Sequence, residues 1–374
     1  MNSEKLLYQL ALTMIPKIGA ITARKLIEYI GSPEGVFMEK TSSLRSIPGV
    51  GEYLAAQVSV KNYLSNAEEE IKQMEKRGIS PVYYQDEAYP WRLKNCADAP
   101  ILLFYRGKPG FNGAKYLSVV GTRNATSYGR EMCEVIISKL AARYSDLVII
   151  SGLAYGIDVM AHRFALKYGL DTWGVLAHGL HTLYPSSHAD VAGRIMKQGA
   201  LLSDFPTTVK PERNNFLRRN RIIAGLSEAT LVVESGPKGG ALITADLAAS
   251  YNREVFAVPG RIGDTYSSGC NRLIQNNIAA LIESGSDIEK LLGWEQEVAQ
   301  RTEPQNIITE PLTEAEQLIL RAINEEPGLG QEILSIRTGI PLYKLSGVLL
   351  QMELRNWIRT MPGNRYRASV RVDL

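Results

Sequence analysis

Between residue 115 and about residue 290, short β-branched runs alternate with stretches of helical period. The runs read YLSVVG, LVIISG, TWGVLAHG, ATLVVES and EVFAVPG. They are apolar on both faces, which predicts strands of a parallel sheet covered by helices on each side. Residues 1–65 predict helices with short loops, and residues 66–104 predict a helix, a strand and a connector. Residues 295–310 (EQEVAQRTEPQNIITE) lose apolar periodicity and read as a linker. Beyond them LTEAEQLILRAI, QEILSIRTGI and LYKLSGVLLQMELRNW predict three helices. IRTMPGNRYRAS then predicts a hairpin that turns at Pro362, Gly363 and Asn364.

The expected fold class is therefore α/β, with a doubly wound, Rossmann-like central domain over 105–294. Three helices and a hairpin over 311–374 fit a winged helix, with Pro341 to Trp357 in the recognition position. That helix carries Glu353 beside Lys344 and Arg355, so it is not clearly positive. In the first segment, Ile15-Pro16-Lys17-Ile18-Gly19 and Ile47-Pro48-Gly49-Val50-Gly51 echo each other, each as a turn feeding a helix. The glycines leave the following helix amides bare, where a phosphate can dock. This pair resembles the all-α helix-hairpin-helix module of DNA-binding proteins.

Composition narrows the function classes. The chain has 374 residues, 45% of them hydrophobic, enough for two or three domains with real cores. Net charge is only +3, so a cationic surface must come from local clustering. Cys96, Cys133 and Cys270 form no CxxC pair and suggest neither disulfides nor zinc. His178 and His181 share a loop but have no acidic or cysteine companion at ligand spacing. There is no leader pattern and no uncharged apolar stretch of about 18 residues, so the expectation is a soluble, cytoplasmic protein without a membrane partner.

The one dense cluster is RNNFLRRNR at 213–221. Arg213, Arg218, Arg219 and Arg221 bring four charges, Asn214, Asn215 and Asn220 add amides, and Phe216 adds a ring. A rigid element presenting guanidinium groups and a ring suits a polyanion with stackable bases. The plain alternative is a helix start whose arginines pair with carboxylates, but no acidic run lies adjacent. The loops after the strands carry Gly121-Thr122-Arg123-Asn124, Ser151-Gly152, His178-Gly179-Leu180 with the later Tyr184-Pro185, and Lys238-Gly239-Gly240. Glycine after a strand is routine turn chemistry, yet together these loops offer free amides and charge on one sheet edge. Neither GxGxxG nor GxxxxGK[ST] occurs, so no NAD or ATP is implied, and no cofactor is expected. Ser151 has no His–Asp set at local spacing. Asp158 is expected to cap or pair near a helix start, and His162, four residues on, to bond its carboxylate.

VVGTRNATSYGR, SGLAYGIDVMAH, FLRRNRIIAGLS, VVESGPKGGALITADLA and REVFAVPG resemble, in order, the motifs of the DNA-processing protein A family (DprA, also called Smf). The resemblance covers roughly residues 105–290 and fits the flanking modules too. It implies a non-enzymatic protein that binds single-stranded DNA on the Rossmann domain, dimerises through it, and passes strands to the recombinase RecA during natural transformation. It also implies that Gly121, Thr122, Arg123, Arg218, Arg219, Asn220, Arg221 and Lys238 line the strand pocket, beside the Ser151, Gly152, Gly239 and Gly240 loops, with Phe216 against a base. Gly-Thr-Arg stands where the family often has Gly-Ser-Arg, and Asp204 where it commonly has Glu.

Two other hypotheses stay open here. One is a nucleotide phosphoribohydrolase on a related scaffold, since Pro237-Lys238-Gly239-Gly240 and the later Thr244 and Asp246 echo its PGGxGT loop and acid, interrupted by Lys238. The other is an adaptor whose terminal modules dock proteins while the central domain only dimerises.

Overall fold

The computed structural model describes residues 3–60, 62–113, 115–295, 312–326, 328–355, 357–361 and 365–368. It divides into two compact units, Met1–Leu292 and Gly293–Leu374.

The first unit opens with six helices: α1 (Ser3–Met14), α2 (Ala20–Ile30), α3 (Pro33–Met38), α4 (Thr41–Arg45), α5 (Glu52–Val58) and α6 (Asn62–Arg77). The two echoed turns fold alike. Ile18 N–H donates to the Ile15 carbonyl at 3.2 Å, and Val50 N–H to the Ile47 carbonyl at 2.9 Å. Gly19 and Gly51 then cap α2 and α5 without a side-chain bond, as the pattern predicts. Leu10, Leu26, Leu44 and Ala55 are fully buried and hold the helices together.

A nine-stranded sheet follows: β1 (Ser80–Tyr83), β2 (Leu102–Gly107), β3 (Lys115–Val120), β4 (Leu147–Ser151), β5 (Asp171–Val175), β6 (Ala200–Ser203), β7 (Ala229–Val232), β8 (Glu254–Ala257) and β9 (Ala280–Leu281). Its order is β1-β2-β6-β5-β4-β3-β7-β8-β9. From β6 to β9 neighbouring strands are parallel, and β1 and β2 add an antiparallel edge. The five apolar runs became β3, β4, β5, β7 and β8. Part of the expected connector is sheet: β1 and β2 extend it through Phe104↔Ser203 pairing. The described helices of this region are α7 (Trp91–Lys94), α8 (Ser127–Ala141), α9 (Ile157–Lys167), α10 (Ala189–Gln198), α11 (Arg213–Leu226), α12 (Gly240–Ser250), α13 (Ser268–Gln275) and α14 (Gly285–Leu291). Every residue of β3, β4 and β7 is buried, as a sheet covered on both faces requires.

The second unit contains α15 (Glu314–Glu325), α16 (Gln331–Thr338) and α17 (Leu342–Leu354), with β10 (Leu329–Gly330), β11 (Ile358–Met361) and β12 (Arg365–Ala368) in the order β10-β12-β11. A Thr313–Glu316 capping box starts α15. Leu320, Leu334, Leu345 and Met352 form the core. The expected turn at 362–364 and linker positions 296–310 lie outside the described residues. No single described helix is long and apolar enough to cross a membrane.

Candidate nucleic-acid interface

β3 pairs with β4 on one side and with β7 on the other, so the strand order reverses between β3 and β7. Connections leave such a pair in opposite directions, and a crevice opens beyond the strand ends. Here the crevice is a pocket of about 710 Å³. The β3–α8 loop supplies Gly121, Thr122, Arg123 and Asn124, and the β7–α12 loop supplies Lys238, Gly239 and Gly240. The wall between them is α11, whose Arg213, Phe216, Arg219 and Asn220 line it.

Backbone packing shapes the loops. Thr122 N–H donates to the Glu234 carbonyl at 2.7 Å, and Ile157 N–H to the Thr122 carbonyl at 3.1 Å. Gly156 has φ +75°, and a Cβ there would stand 2.1 Å from the Thr122 carbonyl oxygen. Only glycine lets the start of α9 tuck beneath Thr122 and Arg123. The buried Glu234 carboxylate accepts from the Thr126 hydroxyl at 2.5 Å and the Thr126 amide at 2.9 Å, which anchors α8. α12 starts at Gly240 without a side-chain cap, and Gly239, Gly240 and Ala241 line the pocket. Uncapped first-turn amides and the helix dipole favour an anion there.

Charge and aromatic surface meet at one end. The Arg123 guanidinium carbon lies 5.4 Å from the centroid of the half-buried Phe216 ring. Tyr184 approaches the same ring edge-on, centroids 5.8 Å apart at 63°. Arg123, Arg213 and Lys238 are exposed.

Four presented guanidinium groups were expected from 213–221, and the structure corrects this. Arg219 is 4% exposed. Its side chain donates to the Gly152 carbonyl at 2.8 Å and to the Val175 carbonyl. Burial pulls its pKa down to about 10, opposed by the nearby Asp158 carboxylate. Arg221 pairs with Asp204 and donates to the Asp98 carbonyl. Arg218 is exposed but faces the Phe205 ring at 5.1 Å and lies outside the pocket lining. The compensating carboxylates sit at strand and helix ends rather than in adjacent sequence, so local charge counting missed them. Asn220 lines the pocket while its side chain donates to the Gly240 carbonyl at 3.2 Å, tying α11 to α12.

Ser151 and Gly152 also lie outside the lining. The Ser151 hydroxyl is buried and donates to the Val119 carbonyl at 2.6 Å. A Cβ on Gly152 would stand 2.4 Å from the Arg219 guanidinium, so this glycine makes room for that side chain. Asp158 sits in the first turn of α9 and takes backbone hydrogen bonds from Ala154 and Gly152. Burial nevertheless raises its pKa. His162 does not bond it. The His162 Nδ1 instead meets the Thr172 hydroxyl at 2.7 Å, because α9 turns the ring toward β5. Asp246 is exposed and outside the pocket. Among the described residues no group of three or more His, Cys, Asp or Glu is placed to hold a metal.

The lining extends beyond the residues expected to hold the strand, and among the additions are Asn124, Tyr184, Arg213 and Tyr266. The first three stood in segments already singled out. Tyr266 follows the fifth apolar run, and its hydroxyl accepts from Asn124 at 3.1 Å.

The model of the DNA recombination-mediator protein A family matches residues 80–293, more than half of the chain. A SAM-like helix-hairpin-helix tandem matches 10–60, and a DprA winged helix domain matches 303–364. Protein Smf of Synechocystis sp. is 31% identical over 98% of this chain and 99% of its own. DNA processing protein DprA of Bacillus subtilis is 38% identical over 61% of this chain and 75% of its own. The X-ray structure of DNA processing protein A from Streptococcus pneumoniae superposes with a TM-score of 0.63 at 31% identity, covering 77% of this chain and 96% of that one. The Helicobacter pylori DNA processing protein A, whose structure addresses its single-stranded DNA binding mode, gives 0.52 at 26% identity over 58% and 96%. The chain belongs to the DNA recombination-mediator protein A family.

Proposed function

We propose that the chain binds single-stranded DNA in the pocket at the β3–β7 switch point and breaks no bond in it. Phosphates sit against Arg123, Lys238 and the open start of α12, and a base stacks on Phe216. The observation that carries this is the meeting of an exposed guanidinium, an aromatic face and uncapped amides in one pocket. Such a surface grips backbone and bases without reading sequence. The single-stranded DNA binding described for the Helicobacter pylori relative supports the same substrate. The family likeness further supports a homodimer formed through the sheet domain that delivers the strand to RecA. In this assignment Arg219 and Arg221 hold the walls, while Arg123, Arg213 and Lys238 face the ligand.

Fluorescence anisotropy of labelled poly-dT and a matched duplex, titrated with salt, tests the proposal. Poly-dT should bind more tightly, with log K falling linearly against log salt. Equal affinity for the duplex, or no salt dependence, would refute it. RecA filament growth on poly-dT with and without the protein tests delivery; an unchanged rate removes that part.

A further inference from the structure

Tyr184 is only partly packed. It is 46% exposed, and its hydroxyl makes no hydrogen bond among the described residues. Its ring nonetheless lines the pocket and stands edge-on to Phe216. The backbone beneath it is fixed, since Tyr184 N–H donates to His178 Nε2 at 3.2 Å. His178 is itself buried, and its Nδ1 meets the Gly179 carbonyl at 2.9 Å. An exposed aromatic ring on a pinned backbone, beside a half-covered one, keeps a free face at little entropic cost.

Resting on the single-strand reading above, we propose that Tyr184 is a second base-stacking residue, taking the base next to the one on Phe216. The 63° between the rings keeps one base from covering both. Tyr184 follows β5 and Phe216 belongs to α11, so the strand would leave the pocket toward the β5 side of the sheet rather than past Tyr266 and β8. His178 acts through Tyr184 as a positioning residue and touches no DNA.

The test compares Tyr184→Ala, Tyr184→Phe and Arg123→Ala in the full chain, using dT oligomers and an abasic deoxyribose-phosphate oligomer of equal length. Tyr184→Ala should lose about 5- to 150-fold on dT with an unchanged salt slope. It should lose nothing on the abasic strand, and Tyr184→Phe should match the unaltered chain. Arg123→Ala should weaken both strands. If Tyr184→Ala binds dT normally while Arg123→Ala is impaired, Tyr184 does not stack and the proposal falls alone. If Arg123→Ala also binds normally, the pocket assignment falls with it. Equal losses on dT and abasic strands would mean that Tyr184 only shapes the pocket, and would likewise overturn the proposal.

Discussion

Arg219 donates to the main-chain carbonyl of Gly152, 67 residues earlier in the chain, at 2.8 Å. The most basic segment thus spends one guanidinium inside the protein. Removing it would take a charged donor from the Gly152 and Val175 carbonyls and leave the buried Asp158 with only the weaker field of Arg123. Arg219→Ala should therefore destabilise the sheet unit by about 3–5 kcal/mol. Gly152→Ala should also destabilise it, by pressing on the same group. Thermal melts will show this before any DNA is added; an unchanged Tm for Arg219→Ala would refute the structural role.

Arg123 is exposed and Phe216 half-buried, so their variants should fold and separate two kinds of affinity. Arg123→Ala should reduce the salt slope by about one, since one phosphate contact is lost. Phe216→Ala should weaken binding by about 1–3 kcal/mol with the slope preserved. Parallel salt titrations on poly-dT are decisive, and equal slopes for both variants would contradict the division.

The Arg221–Asp204 pair is 15% and 4% exposed at its two side chains. Asp204→Ala should cost about 3–5 kcal/mol by leaving Arg221 uncompensated. Replacing both with apolar residues should cost less than the sum of the single changes. Urea denaturation of the double-mutant cycle measures this; strict additivity would mean that the pair does not couple.

Burial holds His162 neutral, pulling its pKa from 6.5 to about 3. The unfolded chain then takes up the proton first as pH falls. Stability is complete above about pH 6.5 and declines toward pH 3, by up to about 1.4 kcal/mol per unit. His162→Asn removes this titration, so its urea midpoint should vary less between pH 6.5 and 4. A slope as steep as that of the unaltered chain would place the acid sensitivity elsewhere.

The five β-branched runs and the Ile-Pro turns determined the central sheet and the first helices, because period and turn chemistry are local properties. The glycine loops after β3 and β7 pointed to the pocket for the same reason: the open edge of a parallel sheet follows from strand direction. The strands outside the five apolar runs were harder to read. β9 is two residues long, too short for a period, and β2 begins in a segment taken for a connector. Which arginines reach solvent was decided by tertiary structure alone. Arg218, Arg219 and Arg221 are near-neighbours in sequence, yet one faces Phe205, one enters the core and one meets Asp204. Helical rotation separates their directions, and their partners arrive from distant strands and loops. The aromatic pair of Tyr184 and Phe216 was equally out of reach, since only the folded sheet edge brings two residues 32 positions apart into contact.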